Sequence, residues 1–341
     1  MFGLFHQPVA RSAGGGGTLW VITRDWTADD MGGGEPCRGR ECPMESGEPS
    51  RTGAPLIVDT DAGGDPDDAV ALVLAAAEPS LALVTTVDEL GGRRARFARL
   101  LLDLVGRADV PVVAGADLGN TRLDCVDGLV PDAVPDQPGG VVDAVAKVCA
   151  EAEGPVRWAG LGPASNLAEV LATRPDLANR LTVTQMGGAL RYRDPKRAEH
   201  NFRVDPAAAA TLVRAARVPS LVLSDTTFTP KIEIHRDGAP HRRLTHPEAP
   251  PWARLLAAHM DRWFERFHPG TIQHDALALA AALRLPYVEL ARERVVLDEI
   301  GRMTTAPDGR LVRLSVKADY PAFFGWLERG LGAALAHGNR R

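Results

Sequence analysis

Aromatic residues and cysteines are scarce in this sequence, and long apolar runs are absent. The 341 residues include 6 Trp, 3 Tyr, 9 Phe and 4 Cys. No stretch approaches the roughly 18 to 20 apolar residues that a membrane helix needs, and the N-terminus lacks the continuous apolar segment of a secretory signal. The sequence therefore predicts a soluble protein of the reducing cytoplasm that does not span a membrane.

The cysteines and the charges exclude further classes of protein. Cys37 and Cys42 lack a second pair or His partners at zinc-finger spacing, and Cys125 and Cys149 add no pattern typical of a disulfide framework. The 39 Lys and Arg residues and the 44 Asp and Glu residues give a net charge of −5. This charge argues against nucleic acid or an anionic membrane as the main partner. We expect a small-molecule partner instead.

The chain changes character near residue 54. Residues 1–53 contain glycine runs at 14–17 and 32–34 and show no sustained strand or helix period. Such a segment is typical of a flexible N-terminal extension. Residues 54–341 predict a single catalytic domain, because apolar segments with strand and helix patterns follow one another there.

Strands and helices are predicted to alternate along this domain. Expected strands lie at 55–59, 81–87, 110–114, 156–160, 181–185, 220–223, 288–297 and 310–316. Expected helices lie at 93–106, 140–152, 252–267 and 274–283, and others begin near residues 67, 164, 205 and 321. The alternation predicts an α/β fold with an open, mostly parallel central sheet flanked by helices, a Rossmann-like core. In such sheets ligands bind beyond the carboxyl ends of the strands.

Five aspartates fall within the ten residues 59–68, around a pair of glycines at 63 and 64. Converging carboxylates repel one another unless a cation joins them, and Ca²⁺ accepts about six to eight oxygen ligands. The glycines permit the tight turn that brings these carboxylates together. The alternative is that some of the aspartates only cap the following helix, but a cap needs far fewer acids.

Four segments resemble motifs of the inosine–uridine nucleoside hydrolase family and occur in the family's order. They are Asp-Thr-Asp with Asp-Asp-Ala at 59–69, Gly-Pro-Ala-Ser-Asn at 162–166, Met-Gly-Gly with Glu-His-Asn-Phe at 186–202, and His-Asp-Ala-Leu-Ala at 274–278. The resemblance implies the nucleoside hydrolase fold, cleavage of the N-glycosidic bond of a ribonucleoside, and a homodimer or homotetramer.

The resemblance also implies a Ca²⁺ site. Asp61, Asp67 and Asp68 match the carboxylates of the N-terminal signature, with Asp68 as a bidentate ligand, and Asp275 matches the distal carboxylate. Ser165 matches the residue whose backbone carbonyl binds the ion, so its side chain is not critical. The alternative for Asp275, taken alone, is an ordinary cap of the helix that follows it.

Reaction roles follow from the same resemblance. Asp67 is implied to take a proton from the water that Ca²⁺ activates, and this water attacks an oxocarbenium-like sugar. Asp59 is implied to orient the neighbouring carboxylates. Glu199 and Asn201 match residues that hydrogen-bond the sugar hydroxyls, although a polar surface loop is the alternative for their segment.

His274 has two interpretations. In relatives directed at purines and pyrimidines, the His beside the distal Asp can protonate the leaving base, and an imidazole suits that role near neutral pH. A His in this position can also merely pack beside the site. The sequence does not decide between the two.

Departures from the family pattern fall where the substrate is recognised. Residues 64–66 stand where the family has a single apolar residue, so the loop is longer. Asp88 and Glu89 stand where the family has an Asn-containing segment, and the family's His is missing from residues 124–129. Arg193 falls near the family's Asn for the 5′-hydroxyl; a guanidinium there suggests an anionic substituent, and the alternative is a side chain in water.

The sequence therefore predicts Ca²⁺-dependent hydrolysis of the N-glycosidic bond of a ribonucleoside or related glycoside. One alternative keeps the fold and the ion but takes a modified, 5′-substituted or C-linked nucleoside. A second alternative is a non-hydrolytic relative that binds a nucleoside or sugar. Retention of Asp67 argues against the second, whereas the missing recognition residues favour a changed substrate.

Overall fold

The computed structural model describes residues 53–338. The predicted flexible extension, residues 1–53, lies outside this range apart from its last residue, and so do Cys37 and Cys42. The domain boundary near residue 54 therefore stays a prediction. None of the helices within residues 53–338 is long and apolar enough to cross a membrane.

Within the described range, nine strands form the main sheet and two form a small antiparallel pair. The strands are β1 (Leu56–Thr60), β2 (Leu81–Thr86), β3 (Val112–Ala114), β4 (Val156–Gly160), β5 (Leu181–Met186), β6 (Ser220–Val222), β7 (Glu233–His235), β8 (Gly270–Ile272), β9 (Val288–Leu297), β10 (Met303–Thr305) and β11 (Arg310–Ala318). The main sheet has the order β10-β9-β11-β6-β5-β4-β1-β2-β3. Each neighbouring pair from β11 to β3 is parallel, and β9 and β10 run antiparallel to their neighbours. The predicted open, mostly parallel sheet is confirmed.

Helices cover both faces of this sheet. They are α1 (Asp67–Ala76), α2 (Arg93–Val105), α3 (Val141–Glu151), α4 (Ser165–Thr173), α5 (His200–Val204), α6 (Pro206–Ala215), α7 (Ser224–Thr227), α8 (Ala239–Leu244), α9 (Pro251–Arg266), α10 (His274–Ala282) and α11 (Tyr320–Gly338). Helices α1, α2, α9, α10 and α11 share one hydrophobic cluster, and α3, α4 and α6 share the other.

The apolar pattern of β1 explains why the sheet is covered on both sides. Leu56 and Val58 pack into one cluster, whereas Ile57 packs into the other, and all three are fully buried. Successive side chains of a strand point to opposite faces, so a continuous apolar run requires helices on both. Helix α1 is buried along nearly its whole length, which explains its lack of a polar stripe.

The short elements of the fold were not predicted from the sequence. Helices α5, α7 and α8 and strands β7, β8 and β10 had no predicted counterpart. Helix α5 forms in a segment that was open to interpretation as a polar loop, because the Glu199 side chain accepts from the backbone N–H groups of Asn201 and Phe202. This contact caps a helix of five residues.

The strand order indicates at which edge of the sheet a ligand binds. The chain runs outward from β1 through β2 to β3, and then returns to the other side of β1 to add β4, β5 and β6. This reversal opens a crevice beyond the carboxyl ends of β1 and β4. Of the predicted site residues, Asp61, Asp67 and Asp68 follow β1, and Ser165 follows β4.

Candidate functional site

Two strand ends and three helix starts converge at this edge of the sheet. Helix α1 begins after the loop of residues 61–66 that follows β1, and α4 begins shortly after β4. Helix α10 packs against α1, and the first turns of these two helices carry Asp67, Asp68 and Asp275. The partial positive charge of a helix N-terminus stabilises carboxylates at such positions.

Asp67, Asp68 and Asp275 form a carboxylate cluster. Each offers an oxygen atom, and these three atoms lie within 4.8 Å of one another. All three side chains are buried, and the Asp275 backbone N–H donates to Asp67 Oδ2 at 3.3 Å. Burial raises the pKa of each carboxyl well above its usual value, and neighbouring carboxylates raise it further. Such a cluster fits a hard divalent cation, whose charge offsets both effects.

Asp61 lies beside the cluster rather than within it. Its backbone N–H donates to Asp68 Oδ1 at 3.2 Å, and the Thr60 hydroxyl donates to the same oxygen. The half-buried Asp61 side chain packs closely against Gly162. A Cβ added at residue 162 would lie 2.7 Å from Asp61 Oδ1. Only glycine at 162 leaves room for this carboxylate next to the end of β4.

Asp59 lies beneath the cluster and is fully buried. Its Oδ1 accepts from Thr85 Oγ1 and from Asn166 Nδ2, both at 2.7 Å, and its Oδ2 has no hydrogen-bond partner among the described residues. Burial raises the pKa of Asp59 to about 7. Asn166 also donates to the Thr86 carbonyl at 2.8 Å, so it joins β1, β2 and α4 rather than only capping a helix.

Ser165 is the first residue of α4. Its hydroxyl donates to Asp205 Oδ2 at 2.6 Å, and Asp205 Oδ1 accepts from the Ala208 backbone N–H at 2.9 Å. The side chain thus ties α4 to the start of α6. The predicted metal role of Ser165 concerns its backbone carbonyl and stays a prediction.

The lengthened loop at residues 61–66 is held by side chains from other elements. The Arg94 guanidinium donates to the Asp61 carbonyl, and His259 Nε2 lies 3.0 Å from the Gly64 carbonyl. The Thr271 hydroxyl donates to Asp65 Oδ1, and the backbone N–H of residue 125 donates to the Gly63 carbonyl at 2.8 Å. These bracing contacts give defined partners to a loop that the family pattern does not account for.

The two acids near the second strand have partners of their own. Asp88 forms an ion pair at 3.5 Å with Arg94, and both side chains are almost completely buried. Glu89 accepts from the Thr86 hydroxyl. These contacts direct both carboxylates into the protein, so they do not add free acids to the crevice.

Cys125 is fully buried. Burial raises the pKa of its thiol to about 11, so this cysteine is not a nucleophile. The preceding Asp124 pairs with Arg93. The loop in which the family's His is missing therefore serves here to support residues 61–66.

Glu199 and Asn201 lie at the end of the crevice near β5. Glu199 accepts three backbone N–H groups, from Gly188 at 2.9 Å, Asn201 at 3.1 Å and Phe202 at 3.2 Å. Asn201 Nδ2 donates to the carbonyls of Leu161 and Met186 at 2.6 and 3.1 Å. Because both amide protons have partners, Asn201 offers its carbonyl oxygen to a ligand.

His274 lies half-buried beside the cluster. Its Nδ1 lies 2.6 Å from Thr227 Oγ1, and its ring stacks on Phe228 with centroids 6.2 Å apart. Burial, and then the positive charge of Arg193, lower the pKa of His274 to about 3. The imidazole is therefore neutral near pH 7.

Comparisons with known sequences agree with this geometry. A family model described as inosine-uridine preferring nucleoside hydrolase matches residues 56–325. A pyrimidine-specific ribonucleoside hydrolase RihA of Photobacterium profundum is 32% identical over 222 residues, 59% of this chain and 70% of the relative. The enzyme of the same name from Salmonella typhimurium is 32% identical over 276 residues, 73% of this chain and 86% of the relative.

Solved structures show the same fold. A plant nucleoside hydrolase, PpNRh1, has a TM-score of 0.71 at 22% identity, and a purine-preferring ribonucleoside hydrolase from Gardnerella vaginalis has a TM-score of 0.67 at 23% identity. Each comparison covers 82% of this chain and 99% of the other. At these identities the likeness concerns the fold alone.

Proposed function

Because this chain belongs to the inosine-uridine preferring nucleoside hydrolase family, whose members hydrolyse the N-glycosidic bond of ribonucleosides, we propose that it does so with a Ca²⁺ ion. The observation that carries this proposal is the carboxylate cluster, three buried acids with oxygens within 4.8 Å of one another. Three such acids without a cation would be a costly arrangement in a protein interior.

The residues for the ion are the three acids of the cluster and two neighbouring residues. We assign the side chains of Asp61, Asp67, Asp68 and Asp275 as ligands, together with the backbone carbonyl of Ser165. An all-oxygen set with several carboxylates is the chemistry that Ca²⁺ prefers. When bound, the ion supplies positive charge that holds the sugar diol and makes a nearby water more acidic.

Asp67 is the proposed general base. Its Oδ2 is held by the Asp275 backbone N–H at 3.3 Å, which fixes the carboxylate at the start of α1. The ion lowers the pKa of a water only modestly, so a carboxylate within hydrogen-bond reach is still needed to take its proton. Asp59, held by Thr85 and Asn166, supports β1 below the cluster and so positions Asp61.

The sugar lies between the cluster and the end of β5 in this proposal. Asn201 presents its carbonyl oxygen, which accepts a hydrogen bond from a sugar hydroxyl. The Glu199 carboxylate, fixed by three backbone N–H groups, places negative charge near the positive oxocarbenium-like sugar. A charge that needs no reorientation stabilises the transition state most effectively.

His274 is proposed to contact the leaving group as a neutral donor. If its Nδ1 accepts from the Thr227 hydroxyl, the ring proton lies on Nε2 and can be shared with the departing base. The low pKa argues against a standing positive charge at neutral pH. This assignment keeps His274 in the catalytic set and favours a hydrogen-bonding role over that of a charged acid.

The proposal is tested by reducing-sugar release from a panel of ribonucleosides, including C-linked analogues, with Ca²⁺ and after EDTA. Asp67→Asn removes the base, and Asp143→Asn is the matched control because Asp143 lies in the first turn of α3 and is exposed. We expect release that needs Ca²⁺, disappears in Asp67→Asn and persists in Asp143→Asn. Release that survives both EDTA and Asp67→Asn would contradict the proposal, and Ca²⁺ binding without any release would favour a non-hydrolytic binder.

Two predictions from the sequence accompany this function. We propose that the enzyme works in the cytoplasm and as a homodimer or homotetramer. Fractionation of cells and sedimentation of the purified full-length chain test these two statements separately.

A further inference from the structure

The loop of residues 189–198, named here the rim loop, places an arginine over two aromatic rings. The Arg193 guanidinium carbon lies 4.7 Å from the centre of the Tyr192 ring and 4.5 Å from the centre of the Phe228 ring. Arg193 is exposed, and Phe228 is 43% exposed. Within residues 53–338, the structure shows no hydrogen bond or ion pair for this guanidinium. Its five N–H donors therefore remain available to a ligand.

A continuous stack connects this arginine to the carboxylate cluster. Phe228 has Arg193 on its ring at 4.5 Å and stacks on His274 with an interplanar angle of 18°. His274 directly precedes Asp275, a member of the cluster. Arg193 thus lies at the mouth of the crevice.

The rim loop is anchored so that Arg193 stays in this place. Asp225, on the same short helix that leads to Phe228, accepts from the backbone N–H groups of Leu190 and Arg191, both at 2.9 Å. The other acid nearby, Asp194, accepts from the Lys196 backbone N–H at 3.0 Å. Asp194 and Asp225 therefore accept from backbone N–H groups, and neither forms an ion pair with Arg193 among the described residues.

Stacking on rings orients a guanidinium without using its hydrogen-bond donors. The guanidinium carbon lies over both rings, and no described residue accepts from its N–H groups. This fork of donors can therefore bind a phosphate or carboxylate. Stacking also holds the side chain before a ligand arrives, which reduces the entropy lost on binding. The rim loop adds Lys196 and Arg197 to the positive potential around this fork, whereas Arg191 pairs with Asp225 at 3.8 Å.

The bound sugar defines which parts of a substrate can reach Arg193. In the proposed function, the 2′- and 3′-hydroxyls of ribose lie on the carboxylate cluster. The opposite edge of the furanose ring carries the base on C1′ and the 5′-carbon on C4′. Both groups therefore point towards the mouth of the crevice.

We propose that Arg193 binds an anionic group on the ribonucleoside, a phosphate on the 5′-carbon or a carboxylate on the leaving base. This inference rests on the proposed function and deepens it by naming the substrate class. The site then selects nucleoside phosphates or acidic nucleosides over neutral nucleosides.

The test compares uridine, uridine 5′-phosphate and orotidine, which carries a carboxylate on the base. The constant kcat/KM is measured for each with the full-length chain and with Arg193→Met, whose apolar stem still fits over the rings. Arg197→Met is the matched control, because Arg197 is an exposed arginine of the same loop without a ring contact among the described residues. A charge-assisted bidentate contact at an exposed site predicts that Arg193→Met lowers kcat/KM for the anionic substrate about tenfold.

The three substrates and the two variants distinguish the possible results. We expect one anionic compound to exceed uridine in kcat/KM, mainly through KM, and this advantage to vanish in Arg193→Met but not in Arg197→Met. A higher kcat/KM for uridine 5′-phosphate would show that Arg193 binds an anionic group on the 5′-carbon. A higher kcat/KM for orotidine would show that it binds one on the base. Equal loss for uridine and the anionic compounds would mean that Arg193 is structural and would overturn the inference.

Failure of the inference is distinguishable from failure of the proposed function. If uridine is hydrolysed and no anionic compound is preferred, only the proposed binding of an anionic group by Arg193 is contradicted. If no compound is hydrolysed, equilibrium binding of uridine 5′-phosphate, orotidine and uridine still decides the inference. An anionic ligand should then bind about tenfold more tightly than uridine, and only to the chain that retains Arg193; equal binding overturns the inference.

Discussion

The floor and the rim of the crevice are built in different ways. In the floor, Asp67, Asp68 and Asp275 are buried, and hydrogen bonds from neighbouring segments hold the first two. In the rim, Arg193 is exposed and is held by two ring faces. The floor keeps the family's motif residues, whereas the rim departs from them. Metal chemistry demands several ligands at one point, but recognition of a substituent can change with one side chain.

The floor nevertheless contains a departure of its own. Its loop, residues 61–66, is longer than the family pattern, and Arg94 and His259 hold it from two helices. An insertion next to a metal site would ordinarily loosen the ligands that flank it. The bracing contacts show how this chain accommodates the longer loop beside the cluster.

The largest expected effect is the loss of a cluster carboxylate. Asp68→Asn should abolish Ca²⁺ binding and lower kcat/KM about a thousandfold or more, because several kcal/mol of charge stabilisation are lost. Calorimetric titration with Ca²⁺ and thermal unfolding check this. The Tm without metal should not fall, since the substitution removes a repelling charge, and Asp143→Asn should bind as the unaltered chain does. If Asp68→Asn retained its Ca²⁺ affinity, the carboxylate cluster would not be the Ca²⁺ site.

A smaller effect on Ca²⁺ affinity is expected when the bracing contacts are removed. Arg94→Met alone leaves Asp88 buried without its partner, which is strongly destabilising, so the informative variant is Arg94→Met combined with Asp88→Asn. It should fold but bind Ca²⁺ about 10- to 100-fold more weakly, as is usual when a group that orients a ligand is lost. Calorimetry measures this affinity.

Arg96→Met is the control for this experiment. Arg96 lies on the same helix and also donates to loop carbonyls, those of Val134 and Pro131, away from residues 61–66. It should change stability without changing the Ca²⁺ affinity. An unchanged affinity in the double variant would show that the loop holds its shape without Arg94.

The bracing contacts also mark the limit of sequence interpretation. The alternating pattern predicted β1, β4 and β5 closely, and motif order predicted that Asp67, Asp68 and Asp275 come together. Arg94 and His259 were missed because they lie on helices α2 and α9, far along the chain from residues 61–66, and no local motif surrounds them. A fully buried guanidinium among Ala95, Phe97 and Ala98 is recognisable only once the helix is packed.

The pH dependence of stability is the next effect. Burial raises the pKa of Asp59 to about 7 and that of Asp65 to about 8, from 3.8. These groups stabilise the metal-free fold when protonated, so its free energy of unfolding should fall as pH rises from about 4 through about 8. Because Ca²⁺ offsets the ionised carboxylates, the increase in Tm on adding Ca²⁺ should be larger at about pH 8 than at about pH 5.

The pKa of buried His259 is shifted in the opposite direction, and this shift provides a check. Burial lowers its pKa to about 4 from 6.5, so the stability it contributes is present above pH 6.5 and is lost as pH falls through 4. This loss occurs with and without the ion and cancels in the Tm difference. Thermal unfolding with Ca²⁺ or EDTA across this range measures both, and a Tm difference independent of pH would contradict the assigned role of the carboxylates.

The smallest effect concerns the rings of the rim. Phe228→Leu and Tyr192→Leu each remove one face from Arg193, and an exposed cation–π contact is worth about 0.5 to 1 kcal/mol. The preference for the anionic substrate should therefore fall about two- to fivefold in each variant. Tyr192→Leu should change uridine little, whereas Phe228→Leu also removes the ring stacked on His274 and should slow uridine, but by less than the anionic substrate. Phe267→Leu, which removes an exposed ring tilted against Trp263, should leave the preference unchanged. If the two rim variants slow uridine as much as the anionic substrate, the rings serve only to pack the rim, and the contrast between a rigid floor and a substrate-selecting rim fails at its outer edge.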